Sequence, residues 1–475
     1  MEDGKQTPDI KIVPLMAVLI SGAFVAILNQ TLLVTALPHI MNDLNLTENT
    51  AQWLTTIFML VNGIMIPITA FLIETFTTRK LFLTAMGLFI AGTIVCAFAP
   101  AFSILMIGRV LQASGAGIMM PLMQTIFFII FPIEKRGRAM GIFGLVIAFA
   151  PAIGPTLSGY IVDQFPWRAL FFIILPIAII DFLFAYLLLK NVTNQTFPKL
   201  DIPSIILSTL GFGGILYGFS SAGDFGWSSG QVILTILVGV TSLVIFILRQ
   251  FRLKQPILEF KVFTYPIFTI STVLGMIVFI TMIGGATILP IYMQNMHHYT
   301  AFQSGLMLLP GAIIMGIMNP ITGRIFDKFG AKWLAVIGLV LVTTSTFMFT
   351  DLTATTSFTF LAVVNAVRML GVSMVMMPVT TAGLNQLPIR LIPHGSAMNN
   401  TMRQVSASIG TALLVTIMTS NALDPEKYGA EGMIHGVNVA FMVAGGLASL
   451  GVFMAFFLKK AEPEAPEAEG QVASK

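Results

Sequence analysis

Four charged residues lie deep inside long apolar stretches of the sequence, namely Arg109, Asp181, Arg368 and Arg403. A charge near the centre of a membrane helix costs about 2.5–3.5 kcal/mol on insertion scales, so such side chains are candidates for function. Asp181 is the acid among them, and a carboxyl group in an apolar environment can take up and release a proton. If Asp181 faces lipid or pairs with a neighbour, however, it carries no proton.

Arg109 shares one face of a predicted helix with Gln112, Met120 and Met123, which follow at helical spacing. Methionine repacks around ligands of different shapes, so this face predicts a tolerant apolar pocket, although ordinary helix packing gives the same stripe. Arg403 could instead extend toward a membrane surface. The residues predicted to line a substrate cavity are Asn29, Gln112, Met120, Met123, Arg368 and Arg403.

The stretches that carry these residues have the length of membrane helices. The chain of 475 residues is 56% hydrophobic and 10% charged, and a bilayer core needs about 20 apolar residues per helix. Fourteen such runs follow one another with short polar breaks, and the first, Ile12–Pro38, is too long for a cleaved signal peptide. Because an open sheet cannot leave its backbone groups unpaired in lipid, we predict an all-α polytopic membrane protein.

Basic residues collect in the loops on one side of the predicted membrane, which we call the basic face, and acidic residues collect on the opposite, acidic face. The positive-inside rule places the basic face and both termini in the cytoplasm of a cell-membrane protein. Anchoring at this face explains the net charge of +4, so no nucleic-acid partner is expected. No metal-ligand spacing or Gly-rich nucleotide loop is present, so we expect neither an enzyme nor a bound cofactor.

Short sequence matches recur at nearly one offset. "GRAMG" at 137–141 returns as "GSAMN" at 395–399, and "MMP" at 119–121 returns at 376–378. This repeat predicts two six-helix bundles related by a parallel duplication, an arrangement typical of transporters. The predicted segments are an N-terminal tail (1–11), a first bundle (12–190), two inserted helices (201–249), a linker (250–265), a second bundle (266–458) and a disordered tail (459–475).

Several motifs together resemble the major facilitator superfamily, in particular its 14-helix drug:proton antiporter branch and the lincomycin-type multidrug exporters of Gram-positive bacteria. They are "GRIFDKFGAK", "GPTLSG", "LNQTLLVTALP", "GRVLQASGAGIMMP" and "PWRALFFIILP". The resemblance implies that Arg109 takes part in proton coupling. Asp181 is the predicted proton carrier because it is the acid deep in an apolar run, and Glu74, in a gating role, is the alternative. The branch usually has an aspartate at the position of Asn29, and an amide cannot titrate, so another carboxylate must carry the proton.

The resemblance also implies a pivot in the fifth helix and a gate at the inner face. In the fifth helix, the small residues Ala150, Gly154 and Ser158 form a stripe that lets another helix approach closely, while Pro151 and Pro155 bend the helix. The family's signature loops place the inner gate at Glu74, Arg79, Arg138, Asp327 and Lys328.

Together these features predict a monomeric efflux transporter that exchanges lipophilic drugs for protons across the lipid bilayer by alternating access, with the proton gradient as its energy source. A proton-coupled exporter of one native metabolite, lipid or peptide is the alternative, and a channel is a more distant one. The shortage of deep acids favours neutral, zwitterionic or weakly basic substrates.

Overall fold

The computed structural model describes residues 12–193 and 195–459. The predicted N-terminal tail and all but the first residue of the predicted C-terminal tail lie outside the described residues. Fourteen α-helices occupy the described ranges. They are α1 (Ile12–Leu44), α2 (Glu48–Thr75), α3 (Thr78–Ala97), α4 (Phe102–Ile130), α5 (Ile133–Gln164), α6 (Ala169–Leu188), α7 (Ile202–Phe225), α8 (Gly230–Arg252), α9 (Pro266–Ile291), α10 (Ala301–Phe329), α11 (Lys332–Phe347), α12 (Phe358–Asn385), α13 (Ile392–Ser420) and α14 (Pro425–Ala455).

The all-α prediction is therefore confirmed. Thirteen of the described helices are long and apolar enough to cross a membrane. The exception is α13, which carries His394, Asn399, Asn400 and Arg403 along its buried surface. These polar side chains lower its hydropathy, and its length of 29 residues still corresponds to about 44 Å.

Each half of the molecule repeats the packing of the other. The first half pairs α3 with α4, α2 with α4, α1 with α5 and α3 with α6, and the second pairs α11 with α12, α10 with α12, α9 with α13 and α11 with α14. Glycines allow the same close crossing in both halves: a Cβ atom on Gly92 would lie 2.5 Å from the carbonyl oxygen of Gly108, and one on Gly371 would lie 2.6 Å from that of Gly338. Two six-helix bundles related by a parallel repeat are thus present.

The inserted pair, α7 and α8, forms a hairpin that packs on both halves through α7, which contacts α2 and α13. Tyr217 of α7 stacks on Trp53 of α2 with ring centroids 5.5 Å apart. At the basic face Asp201 accepts two hydrogen bonds from Arg249, at 2.7 and 2.8 Å, and this guanidinium lowers the pKa of Asp201 to about 2. The helix α8 ends at Arg252, slightly beyond the predicted boundary at 249, because its last turn keeps the helical hydrogen bond from Leu253 N to Arg249 O.

Candidate functional site

A cavity of about 400 Å³ lies between the two halves. Its walls come from α1, α2, α7, α9 and α13. On α9 and α13, which begin at the basic face, the lining residues start at Phe279 and Gln404, about midway along each helix. On α2, which begins at the acidic face, they are Thr56, Met59 and Leu60 in the first half of the helix. The cavity therefore occupies the half of the membrane nearer the acidic face.

The lining combines apolar side chains with uncharged hydrogen-bonding groups. Each half of the protein supplies one amide, Gln30 from α1 and Gln404 from α13, and Phe219 of the inserted helix α7 adds an aromatic wall. Among the described residues that line the cavity there is no Asp, Glu, Lys or Arg. The cavity is suited to a lipophilic molecule with a few hydrogen-bonding groups.

Below the cavity, toward the basic face, α5 and α10 come into close contact. A Cβ atom on Gly141 would lie 2.6 Å from the carbonyl oxygen of Asn319, so only glycine permits this distance. Nearer the helix ends the carboxylate of Asp327 accepts hydrogen bonds from the backbone N–H groups of Gly137 (2.7 Å) and Arg138 (2.9 Å). Asp327 thereby joins the two halves through backbone atoms of α5, and the side chain of Arg138 is not needed for this contact.

Arg136 makes a second connection between the halves. Its guanidinium donates to Asn385 Oδ1 of α12 at 2.9 Å, and to the backbone oxygens of Phe128 (2.6 Å) and Phe131 (3.0 Å) at the end of α4. Arg136 is buried although it lies in the first turn of α5, at the basic face. The sequence predicts only membrane anchoring for Arg136, because no motif distinguishes it from its neighbour Lys135.

His394 provides a third connection, to the predicted gate residue Glu74. His394 Nε2 lies 3.0 Å from Glu74 Oε1, and His394 Nδ1 accepts a hydrogen bond from the backbone N–H of Glu259 at 3.2 Å. Since Nδ1 acts as an acceptor, the ring proton lies on Nε2 and is donated to Glu74. One imidazole thus links α2, α13 and the segment between α8 and α9, and no sequence motif points to it.

A buried amide pair completes the closure, with Asn400 Nδ2 donating to Gln124 Oε1 at 2.6 Å between α13 and α4. Two other predicted gate residues lie elsewhere. Arg79 donates to the backbone oxygen of Tyr186 at 2.6 Å within the first half, and the Lys328 ammonium lies 5.3 Å from the ring centroid of its neighbour Phe329. The described structure is therefore closed at the basic face, with its cavity toward the acidic face.

We expect the Glu74 and His394 side chains to act as one unit. A Glu74→Ala or a His394→Leu substitution should each weaken the closed basic face, and the double variant should lose little more than either single variant, because both remove the same contact. The measurement is the labelling rate of a reporter cysteine at Ala407, which lines the cavity, in a Cys96→Ser background. Labelling from the acidic face should fall in all three variants, and additive effects would contradict the shared contact.

The deep polar residues of the first half form a network behind the cavity. Arg109 donates to Leu54 O and to Gln112 Oε1, both at 3.0 Å, and its guanidinium lies 4.3 Å from the ring centroid of Phe58. Gln112 Nε2 continues the network to Thr93 Oγ1 at 2.9 Å and to Asn29 Oδ1 at 3.5 Å. All these polar side chains are buried, and the network lies inside the first bundle.

Asp181 is buried in the packing of α6 against α1, where it accepts a hydrogen bond from Ser21. Its second carboxylate oxygen has no partner among the described residues. Ser21 and Asn29, which contact Asp181 and the Arg109 network respectively, are eight positions apart on α1, or about 12 Å along the helix. The two residues predicted to couple protons are therefore not in direct contact in the described state.

The other predicted residues lie around rather than in the cavity. Met123 is buried and Met120 is half-buried on α4. Arg368 donates to Asn365 Oδ1 at 3.1 Å and to Thr281 O at 3.4 Å inside the second bundle. Arg403 directly precedes the lining residue Gln404.

The predicted pivot lies on α5, which runs as one helix through both prolines. Its small-residue stripe faces α1. Ser158 Oγ donates to Leu32 O at 2.6 Å, and Thr31 Oγ1 donates to Ala150 O at 3.5 Å. A Cβ atom on Gly154 would lie 2.8 Å from Thr31 Cβ, whereas Pro151 and Pro155 are exposed on an adjacent stripe of the helix.

Comparison with known proteins supports this architecture. Residues 19–411 match the family model of the Major Facilitator Superfamily. The chain is 58% identical to the uncharacterized MFS-type transporter YcnB of Bacillus subtilis over 97% of both chains, and 43% identical to the lincomycin resistance protein LmrB of Listeria monocytogenes over 95% of this chain and 98% of that protein. The crystal structure of the human organic anion transporter MFSD10 (TETRAN) has the same fold, with a TM-score of 0.68 at 12% identity over 93% of this chain and 99% of that chain. The chain therefore belongs to the major facilitator superfamily and is a membrane transporter rather than an enzyme.

Proposed function

We propose that this transporter exports lipophilic drugs in exchange for protons by alternating access. The observation that carries the proposal is a cavity between two repeated bundles that is sealed at one membrane face by contacts between the bundles. The positive-inside rule assigns the sealed basic face to the cytoplasm, so the described state is the outward-facing one. A channel would need a path open at both ends, which disfavours that alternative.

The chemistry of the cavity supports a broad range of apolar substrates. Its volume of about 400 Å³ falls in the range of drug-binding pockets, and glutamine, serine and threonine side chains can turn their hydrogen-bonding groups toward different ligands. The similarity to a lincomycin resistance protein agrees with antibiotic export. Transport of one native metabolite, lipid or peptide is the alternative. It predicts that a single compound inhibits the transport of all others by competition.

For the energy source we propose protons carried by Asp181. One proton moving down ~100 mV supplies about 2.3 kcal/mol, and one pH unit adds about 1.4 kcal/mol, which supports a gradient of several hundredfold for a neutral drug. Asp181 is the deep acid of the described helices, and its free oxygen leaves a position for the proton. Asp181 contacts α1 through Ser21 and the Arg109 network contacts it through Asn29, and α1 is the proposed route by which the cavity senses this proton.

The test is drug-driven proton movement in proteoliposomes that contain the purified monomer. Several unrelated lipophilic drugs should each release protons from vesicles loaded with a pH dye, and a protonophore should abolish drug accumulation. Asp181→Asn should reduce drug-driven proton movement by at least about a hundredfold, since its neutral amide cannot titrate. The matched control is Asp163→Asn, which removes an exposed acid at the end of α5 and should leave the coupling intact. Unchanged coupling in the Asp181 variant would exclude this residue as the carrier.

A further inference from the structure

Three arginines are buried inside the membrane part of the described chain, and they differ in their partners. Arg109 and Arg368 each donate to a side-chain amide and to a backbone oxygen, and each keeps one nitrogen without a partner among the described residues. Arg403 has a weaker set: its one hydrogen-bonding contact is Met376 Sδ at 4.0 Å, and its Nη1 has no partner among the described residues. We propose that Arg403 is an anion-binding subsite for the acidic group of an amphipathic organic anion. This proposal rests on the proposed transport function and names a substrate class for it.

The surroundings of Arg403 supply too few hydrogen-bond acceptors for its guanidinium group. The residue is 6% exposed, and its guanidinium lies 4.8 Å from the ring centroid of Phe279. A guanidinium has five N–H donors in a planar fork and binds carboxylates with two parallel hydrogen bonds. A thioether sulfur and an aromatic face leave most of these donors unused, and a buried donor without an acceptor is unfavourable. A ligand carboxylate would supply acceptors that the protein does not.

The position of Arg403 places it at the floor of the cavity. Phe279, which its guanidinium contacts, and Gln404, which follows it in the chain, both line the cavity. They are also the lining residues nearest to the basic face on α9 and α13. Rotation of the Phe279 ring would connect the guanidinium with the cavity, so an amphipathic molecule could place its apolar body along α7 and its acidic group on Arg403.

The charges around the cavity point to the same substrate class. The lining residues described above carry no charge, and no carboxylate of the described residues contacts Arg403, so a cationic drug would find no counter-charge there. An anion gains the attraction of Arg403. Export of a monovalent anion against one proton also moves one more charge along the membrane potential than export of a neutral drug does. At ~100 mV this extra charge raises the attainable concentration gradient of the substrate by about fiftyfold.

The experiment compares the binding of a dansyl-labelled fatty acid with that of its methyl ester at neutral pH. Binding to the purified full-length protein is followed by dansyl fluorescence in nanodiscs without a proton gradient. The wild-type protein should bind the acid at least about tenfold more tightly than the ester, as expected for a charge-assisted hydrogen bond. Arg403→Gln should remove this preference and leave the ester affinity unchanged. Arg390→Gln, which removes an exposed positive charge of the basic face, should keep the preference.

A second variant keeps the test decisive if Arg403→Gln does not fold. Met376→Glu places a carboxylate beside the same guanidinium, so it should abolish the preference for the acid while the protein keeps its thermal stability. Equal binding of acid and ester by the wild-type protein, or a preference that survives in both variants, would overturn the proposal. Because binding is measured without a gradient, a failure of proton-coupled export leaves this result unaffected, and loss of the acid preference alone leaves drug export unaffected.

Discussion

The Gly141→Val substitution is expected to reduce drug transport by roughly tenfold to a hundredfold, because it prevents α5 and α10 from meeting at the basic face. A Cβ atom at this position would lie 2.6 Å from Asn319 O and 2.9 Å from Pro320 Cα. Both atoms belong to the backbone of α10 and cannot move aside as a flexible side chain would. Overpacking of this kind costs about 1–3 kcal/mol, and the cost falls only on the state in which the basic face is closed.

The matched control is Gly159→Val, which makes the same change on the same helix. A Cβ atom on Gly159 meets nothing within 4 Å, so this variant should transport normally. The measurement combines drug export with the distance between spin labels on the basic-face ends of α5 and α10. The Gly141 variant should show a longer distance and the Gly159 variant an unchanged one. Equal loss of transport in both variants would mean that the helix itself, and not the contact between α5 and α10, had been damaged.

The number and order of the helices could be predicted because each needs its own apolar run to lie in lipid. The helix α13 shows the limit of this rule. Its polar residues would be costly in lipid, but His394 and Asn400 contact the first half of the protein. A membrane helix that is buried between the bundles can therefore carry polar residues, and its hydropathy alone does not identify it as a membrane helix.

The contacts of the candidate site could be predicted only in part, because they join residues far apart in sequence. The small-residue stripe on α5 predicted close packing, and α1 lies against it. A second pair of glycines on α5, Gly137 and Gly141, faces α10, and no small-residue stripe in the sequence predicts this contact. Similarly, the sequence pattern selected Asn29 for the cavity, whereas the adjacent Gln30 lines it. Neighbouring residues point about 100° apart around a helix, so a shift of one position decides whether a side chain faces the cavity or the bundle.

A comparison of variants at Arg136 and Arg138 distinguishes the effect of a structural contact from that of a surface charge. Both are arginines in the first two turns of α5, two positions apart, so Arg136→Gln and Arg138→Gln change the net charge of the basic face equally. We expect Arg136→Gln to abolish most transport, since the guanidinium holds Asn385 of the second half and two backbone oxygens at the end of α4. Leaving a buried acceptor without its donor typically costs about 1–3 kcal/mol.

Arg138→Gln should retain near-normal transport, because Asp327 binds the backbone N–H of residue 138 and the Arg138 side chain is exposed. Arg136→Lys tests whether charge alone is sufficient. A lysine cannot reproduce the planar fork that reaches three acceptors, so it should behave like the glutamine variant. Transport rates in proteoliposomes and thermal unfolding in detergent decide between these outcomes. If Arg138→Gln were the more damaging change, the basic face would be held by the charge of the signature loop, and the Arg136 contact with Asn385 would be incidental to gating.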